Sequence, residues 1–169
     1  NLEMIKKILL IFIVSLLFNS LSYGAGTGAG ERDEKIEKGS PEKGAYKLIK
    51  KAKKQEKKGK LKKAEKKYKR ALDLLLEANK LTPGNPDILN YLGFTSRKTG
   101  DFEGAEAYYL MGLALNPNHN GINEYLGELY LQTNRKNLAL ERLNVLKVCN
   151  CDEYQELKDL IDGTKTSKY

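Results

Sequence analysis

The sequence predicts an all-α protein, on three observations. Apolar residues return at intervals of three and four, as in Leu61, Ala64, Tyr68, Ala71, Leu72, Leu75, Ala78 and Leu81, and that interval places them on one face of a helix. Charged side chains make up 31% of the chain, proline occurs four times and tryptophan not at all, a balance that suits helices better than an all-β fold. Gly59, Gly100 and Pro117 fall between the periodic stretches, where helices end. At 169 residues there is room for one ordinary domain with a leader or tail.

The leader comes first. From Met4 the chain reads MIKKILLIFIVSLLFNSLSYGAG. Lys6 and Lys7 give a positive start, Ile8–Phe18 is apolar apart from Ser15, and the small residues Ser22 and Gly24 suit cleavage after Gly24. That is the plan of a secretory signal peptide over residues 1–24. The apolar run is short beside the roughly 20 residues of a membrane span. An uncleaved inner-membrane anchor is the alternative, and in both cases the remainder is exported. Asn1–Glu3 precede the start at Met4 and read as an over-extended frame. No cysteine follows the apolar run, which argues against a lipoprotein anchor, and the bacterial style of the leader points to the periplasm. Gly24–Gly30 read GAGTGAG and a polar stretch follows to Glu42. Such composition buries nothing, so 25–42 is expected to be a flexible linker. A phosphate-binding loop would need a strand before it and a helix with Lys-Ser/Thr after it, and the sequence has neither.

The helical domain is expected over 43–162. Its first helix, about Lys43–Lys58, has a thin apolar side of Tyr46, Ile49 and Ala52 and depends on packing. After a turn at Gly59, one long helix covers about Lys60–Leu81. The next two are expected at about 87–99 and 102–115. Leu89, Leu92 and Gly93 share a face of the first, and Phe102, Ala105, Tyr109 and Gly112 a face of the second. Gly93 suits a close approach of helices, Gly100 a left-handed helix end, and Asp101 a cap. Beyond Asn120, Leu126, Gly127 and Tyr130 fall 34 residues after Leu92, Gly93 and Ser96, Asn134 stands at the turn, and Ala139 and Leu143 follow. A last helix, about Asp152–Ile161, presents Tyr154, Leu157, Leu160 and Ile161 on one side, and 163–169 form a loose tail.

Residues 86–119, PDILNYLGFTSRKTGDFEGAEAYYLMGLALNPNH, resemble a tetratricopeptide repeat, the helix–turn–helix unit with W-x2-L-G-x2-Y, then A-x3-F, then P. Leu89 stands where the family has Trp and Ser96 where it has Tyr. The L-G-x2-Y is complete in the next unit, where Cys151 stands in place of the closing proline. Gly59, Leu61, Ala64, Tyr68 and Ala71 match the start of a repeat's second helix, and Ala78, Leu81 and Pro83 match its end. Both matches hold only if that helix is longer by about seven residues, or two turns, than its counterpart. The resemblance implies repeats at about 45–85, 86–119 and 120–153 with a cap at 152–162. That is a short superhelix of antiparallel helix pairs, near the minimum that buries a continuous core. The run CNCDEYQELKDLI also resembles the C-terminal end of small exported repeat proteins of alphaproteobacteria.

For function, the family resemblance implies a non-catalytic platform that receives a protein or peptide in a concave groove lined by the first helices. By matched spacing, the exposed inner positions are Asn90, Phe94, Arg97 and Lys98 in one repeat, Glu124, Glu128, Leu131 and Gln132 in the next, and Lys53 and Lys57 in the first. The family's clamp for a C-terminal carboxylate is not supported, because Asn90 and Phe94 occupy its positions. Phe94 has a second reading, packing against the neighbouring helix.

The net charge of +8 is not spread evenly. Residues 42–70 hold fifteen lysines and arginines against three glutamates, a local +12, whereas 71–169 hold ten against fourteen acidic residues. Lys53, Lys57, Lys62, Lys63, Lys66 and Lys67 are read either as a solvated face or as an electrostatic patch for an anionic membrane or other acidic surface. They lack interleaved aromatics and any nucleic-acid motif, so no nucleic-acid partner is expected. Provision for chemistry is poor. The single histidine, His119, lies on a loop, and no Ser/His/Asp or HExxH pattern occurs. No enzyme activity, cofactor or metal is expected. Asp87, Asp101 and Glu103 lie near helix starts, where carboxylates are stabilising. Cys149 and Cys151 form C-N-C. In an exported chain they are candidates for a disulfide. Reduced packing cysteines and a small thiol redox role are the alternatives, and two thiols fall short of a four-ligand zinc site.

Overall fold

The computed structural model describes residues 39–165. The expected leader, the linker up to residue 38 and residues 166–169 of the tail lie outside the described residues. The described residues form seven helices: α1 (Pro41–Glu56), α2 (Leu61–Leu81), α3 (Pro86–Lys98), α4 (Phe102–Leu115), α5 (Asn120–Gln132), α6 (Lys136–Leu146) and α7 (Asp152–Ile161). The chain is all-α over this range, as its periodicity requires.

Local chemistry sets the helix ends. The first helix begins at Pro41 rather than Lys43, because Ser40 Oγ accepts a hydrogen bond from the Lys43 N–H at 3.4 Å and Pro41 occupies the first turn, where its missing N–H would have had no helical partner. Asn85 caps α3 in the same way, ahead of Pro86. Asp101 caps α4 by accepting from the Gly104 N–H at 2.9 Å. Gly100 ends α3 at φ 92°, and Asn134 takes the equivalent place after α5 at φ 59°, a left-handed conformation that asparagine adopts more readily than most side chains.

The helices pack as consecutive pairs, α1 with α2, α3 with α4 and α5 with α6. Neighbouring pairs meet through α2–α3, α4–α5 and α3–α5, and α7 lies on α5 and α6. This is a short stack of antiparallel helix pairs with a C-terminal cap. The core has two parts. One joins Ala45, Ile49 and Ala52 to Tyr68, Leu75, Leu89 and Leu92. The other joins Tyr109, Ile122 and Leu126 to Leu146 and Leu157. The helix α2 is continuous over 21 residues against 14 in α4, so the two additional turns anticipated from the doubled match are present. Leu61, Leu81, Phe102 and Leu115, expected within the buried stripes, are exposed instead. Each is the first or last residue of its helix, beyond the cover of its neighbour.

Two glycines set how closely the layers approach. A Cβ at Gly93 would lie 2.4–2.8 Å from ring atoms of the buried Tyr109, so α3 and α4 touch backbone to ring. A Cβ at Gly127 would lie 2.5 Å from Leu157, the residue by which the cap seats on α5. Gly93→Ala is expected to destabilise the fold by about 1–3 kcal/mol. Urea denaturation reads this, and an unchanged midpoint would mean that the ring moves aside freely.

Candidate functional site

The inner side of the stack is built by α1, α3 and α5. Phe94 lies at its centre and is fully buried. Its ring packs edge-on to Tyr68 at 5.8 Å and against Tyr125 at 5.1 Å between centroids. Lys53 from α1 places its ammonium 4.5 Å from the Phe94 centroid and donates to Tyr125 Oη at 3.4 Å. Burial in this position holds the Lys53 pKa below its ordinary range, against the pull of Glu124 and Glu128. Arg97 lies about 6 Å from the same two rings. It pairs with Glu128 at 2.8 Å, both side chains being almost inaccessible, and its Nη1 donates to Gln132 Oε1 at 3.3 Å. Lys98 pairs with Glu56, whose other oxygen accepts from Tyr68 Oη at 2.8 Å. Burial lowers the Lys98 pKa as well.

These contacts correct the expected exposed groove. Asn90, Phe94, Arg97, Glu124 and Glu128 are buried, Leu131 and Gln132 are half-buried, and the Lys98 side chain is almost covered. The side chains that point inward from successive repeats meet one another and fill the groove they were expected to line. Phe94 follows its second reading, packing between helices.

An open cleft of about 430 Å3 remains towards the C-terminal end of this side. Lys53 and Lys57 come from α1, Glu124, Tyr125 and Glu128 from α5, and Asp152, Glu153, Glu156 and Leu160 from α7, with Lys165 beyond. Lysines and carboxylates therefore enter it from different helices. The carboxyl of Glu124 is pushed up to about 9, first by burial and then by Glu128, Glu156 and Glu153, and it shares a hydrogen bond with Glu156. Tyr125, Asp152, Glu153, Glu156 and Lys165 carry no site assignment from the sequence, and Leu160 was expected only on the apolar side of the last helix. The repeat offered one signal, since Tyr125 falls 34 residues after Tyr91. The part of α7 in the cleft had none, because a cap lies outside the repeat register.

The remaining expected sites fall elsewhere. Lys62, Lys63 and Lys66 are exposed on α2 and Lys67 is half-buried. None of the four lines the cleft that Lys53 and Lys57 enter, so the six lysines do not form one patch. Cys149 and Cys151 are joined as a disulfide immediately before α7. His119 is the N-cap of α5: its Nδ1 accepts from the Ile122 N–H at 3.2 Å and its Nε2 lies 3.1 Å from Asp87 Oδ1. This gives the lone histidine a structural occupation that its loop position did not reveal. Among the described residues no group of three His, Cys, Asp or Glu is placed to hold a metal ion, and no helix is long and apolar enough to cross a membrane.

Residues 86–119 match the family model described as Tetratricopeptide repeat. No curated protein matches the chain. Among solved structures, a chain titled "CopN-Scc3 complex" is similar at 17% identity, over 79% of this chain and 80% of that one, with a TM-score of 0.48.

Two consequences are testable. Arg97→Leu strands the buried Glu128 charge and is expected to cost about 3–5 kcal/mol, measured by urea denaturation. A cost below about 1 kcal/mol would show that the pair is solvated. Glu124 gives a pH signature. Its folded pKa of about 9 lies above the unfolded value, so its contribution is complete at acid pH and is lost as pH rises through the folded value. The melting temperature should fall between about pH 5 and pH 9, and Glu124→Gln should flatten that slope. An identical slope in the variant would contradict the assignment.

Proposed function

We propose that this chain, whose residues 86–119 match the tetratricopeptide repeat, is a non-catalytic platform that holds a partner polypeptide at its inner side. The observation that carries the reading is the cleft between α1, α5 and α7, open to solvent and lined by charged side chains around Tyr125 and Leu160. The surface offered to a partner is this cleft. The filled positions Phe94 and Arg97 adjoin it through Tyr125 and Glu128, and Asn90, Leu131 and Gln132 belong to the same inner face. An envelope location follows from the leader read in residues 1–24, with the linker to residue 38 as the tether.

Two other readings have narrower support. An anionic membrane or other acidic surface is favoured by Lys62 and Lys66, exposed on the side of α2 opposite its buried Ala64, Tyr68 and Ala71. A thiol redox role for Cys149 and Cys151 is favoured by the formed pair at a helix junction.

A photo-crosslinking residue placed at Glu156, on the cleft, should capture a discrete partner in the native envelope, and one placed at Lys66 should not. Capture should be lost when Glu153 and Glu156 are reversed to lysine in a chain crosslinked from Lys57. Equal capture from Lys66 would move the function to the lysine face. Loss of anionic-vesicle binding on reversal of Lys62 and Lys66 would then identify the membrane reading.

A further inference from the structure

We propose that the acidic wall of this cleft receives a cationic side chain, a lysine or arginine, from an extended segment of the partner polypeptide, with Glu124 and Glu156 as its carboxylate partners. The inference rests on the platform reading and specifies the chemistry of its partner.

The five carboxylates of the cleft are not equivalent. Glu128 is already paired with Arg97. Asp152 and Glu153 lie in the first turn of α7, where the helix end stabilises negative charge. Glu124 has neither arrangement. It is 6% exposed, lines the cleft, and forms no ion pair with any described lysine or arginine. Glu156, another carboxyl, lines the same cleft and contributes to raising its pKa. The groups facing it from the packed helices are Glu128 on its own helix, Glu153 and Glu156 on α7, Lys53 on α1 and Tyr109 on α4. Lys53 is the one cation among them, and it is held over Phe94 and bonded to Tyr125 instead. Burial and the surrounding carboxyls push the Glu124 carboxyl up, so that it holds a proton, because a low-polarity site and like charges both oppose ionisation. An incoming cation replaces that proton, which leaves to solvent, and both carboxylates then face a positive charge.

Size and lining agree with a single long side chain. A volume of about 430 Å3 lies in the lower part of the range for ligand sites, about 300–1,000 Å3, too small for a docked helix. Tyr125 and Leu160 offer apolar surface to the methylene stem of lysine or arginine, which packs while its charged end remains polar-bonded. Lys57 at the exposed rim suits an acidic residue or backbone carbonyl beside the inserted cation. An anionic ligand would meet five carboxylates against three lysines and is disfavoured.

The test uses two acetylated and amidated heptapeptides, identical except for a central lysine or glutamine, with calorimetry near neutral pH in buffers of different ionisation enthalpy. The lysine peptide is expected to bind about tenfold more tightly than the glutamine peptide, with release of up to one proton. Glu124→Gln should remove both the preference and the proton release while the circular dichroism spectrum stays the same. Equal affinities, a lysine preference that survives in the Glu124→Gln, Glu156→Gln double variant, or no binding of either peptide up to about 5 mM would overturn the inference. So would proton release with spermidine but not with the lysine peptide, which would make the ligand a free polyamine. If crosslinking from Glu156 still captures a partner in any of these cases, the cation site fails and the platform reading stands. If crosslinking captures nothing, the platform reading fails on its own evidence.

Discussion

The interaction on which the rest of the stack depends is a layer of cations laid across aromatic rings. Lys53 from α1 covers Phe94 from α3 and Tyr125 from α5, and Arg97 approaches the same rings. Three first helices thus meet in one set of contacts. In α1 only Ala45, Ile49 and Ala52 are buried, so its apolar face is too small to fix its position alone. A desolvated cation over a ring is worth about 2 kcal/mol, comparable with burying an aliphatic side chain. The lysine reach therefore supplies what the alanines of α1 do not. The same layer explains why the inner surface is closed over most of its length. Arginine and lysine stems need apolar walls, and the wall available to each was the neighbouring repeat.

The helices were legible because their signals are local. Pro86, Gly100 and Asn134 act within a few residues of where they stand, and the 34-residue interval carried the register from Leu92 and Gly93 to Leu126 and Gly127. The start of α1 at Pro41 is equally local, a serine followed by proline, but it stands in a polar, glycine-bearing stretch whose composition reads as linker. The exposure of the inner face was not legible. Phe94 meets Tyr125 across 31 residues and Arg97 meets Glu128 across the same interval. Whether such positions are open depends on how tightly successive pairs are wound, which the spacing of apolar residues does not specify. The aromatic density of Tyr91, Phe94 and Tyr125 was the available sign that this face is packed.

The basic block also separates once it is folded. Its formal +12 suggests one surface, yet its lysines have different roles. Lys53 is largely buried in the inner layer, Lys57 stands at the cleft, Lys69 pairs with Glu65 one turn away at 2.7 Å, and Lys62, Lys63 and Lys66 lie at exposed positions of α2. Lys98, outside the block, neutralises its Glu56. Net charge along a sequence is thus a poor guide to a field when the helices that carry it present two faces.

The cap joins architecture to the cleft. Leu157 must sit on Gly127 to cover the end of the core, and that contact fixes the rotation of α7. With Leu157 inward, Glu153 and Glu156 fall one turn or less away on the side that faces α5 and Glu124. The residues that seal the hydrophobic end therefore also determine which carboxylates enter the cleft. Lys136 Nζ, donating to the Ile161 carbonyl at 3.2 Å, holds the far end of the same helix, and the Cys149–Cys151 pair holds the near end. An acidic wall that must meet a ligand in fixed geometry needs a helix restrained at both ends. A frayed terminal helix would let the carboxylates separate into water, where Glu124 would lose the burial that raises its pKa.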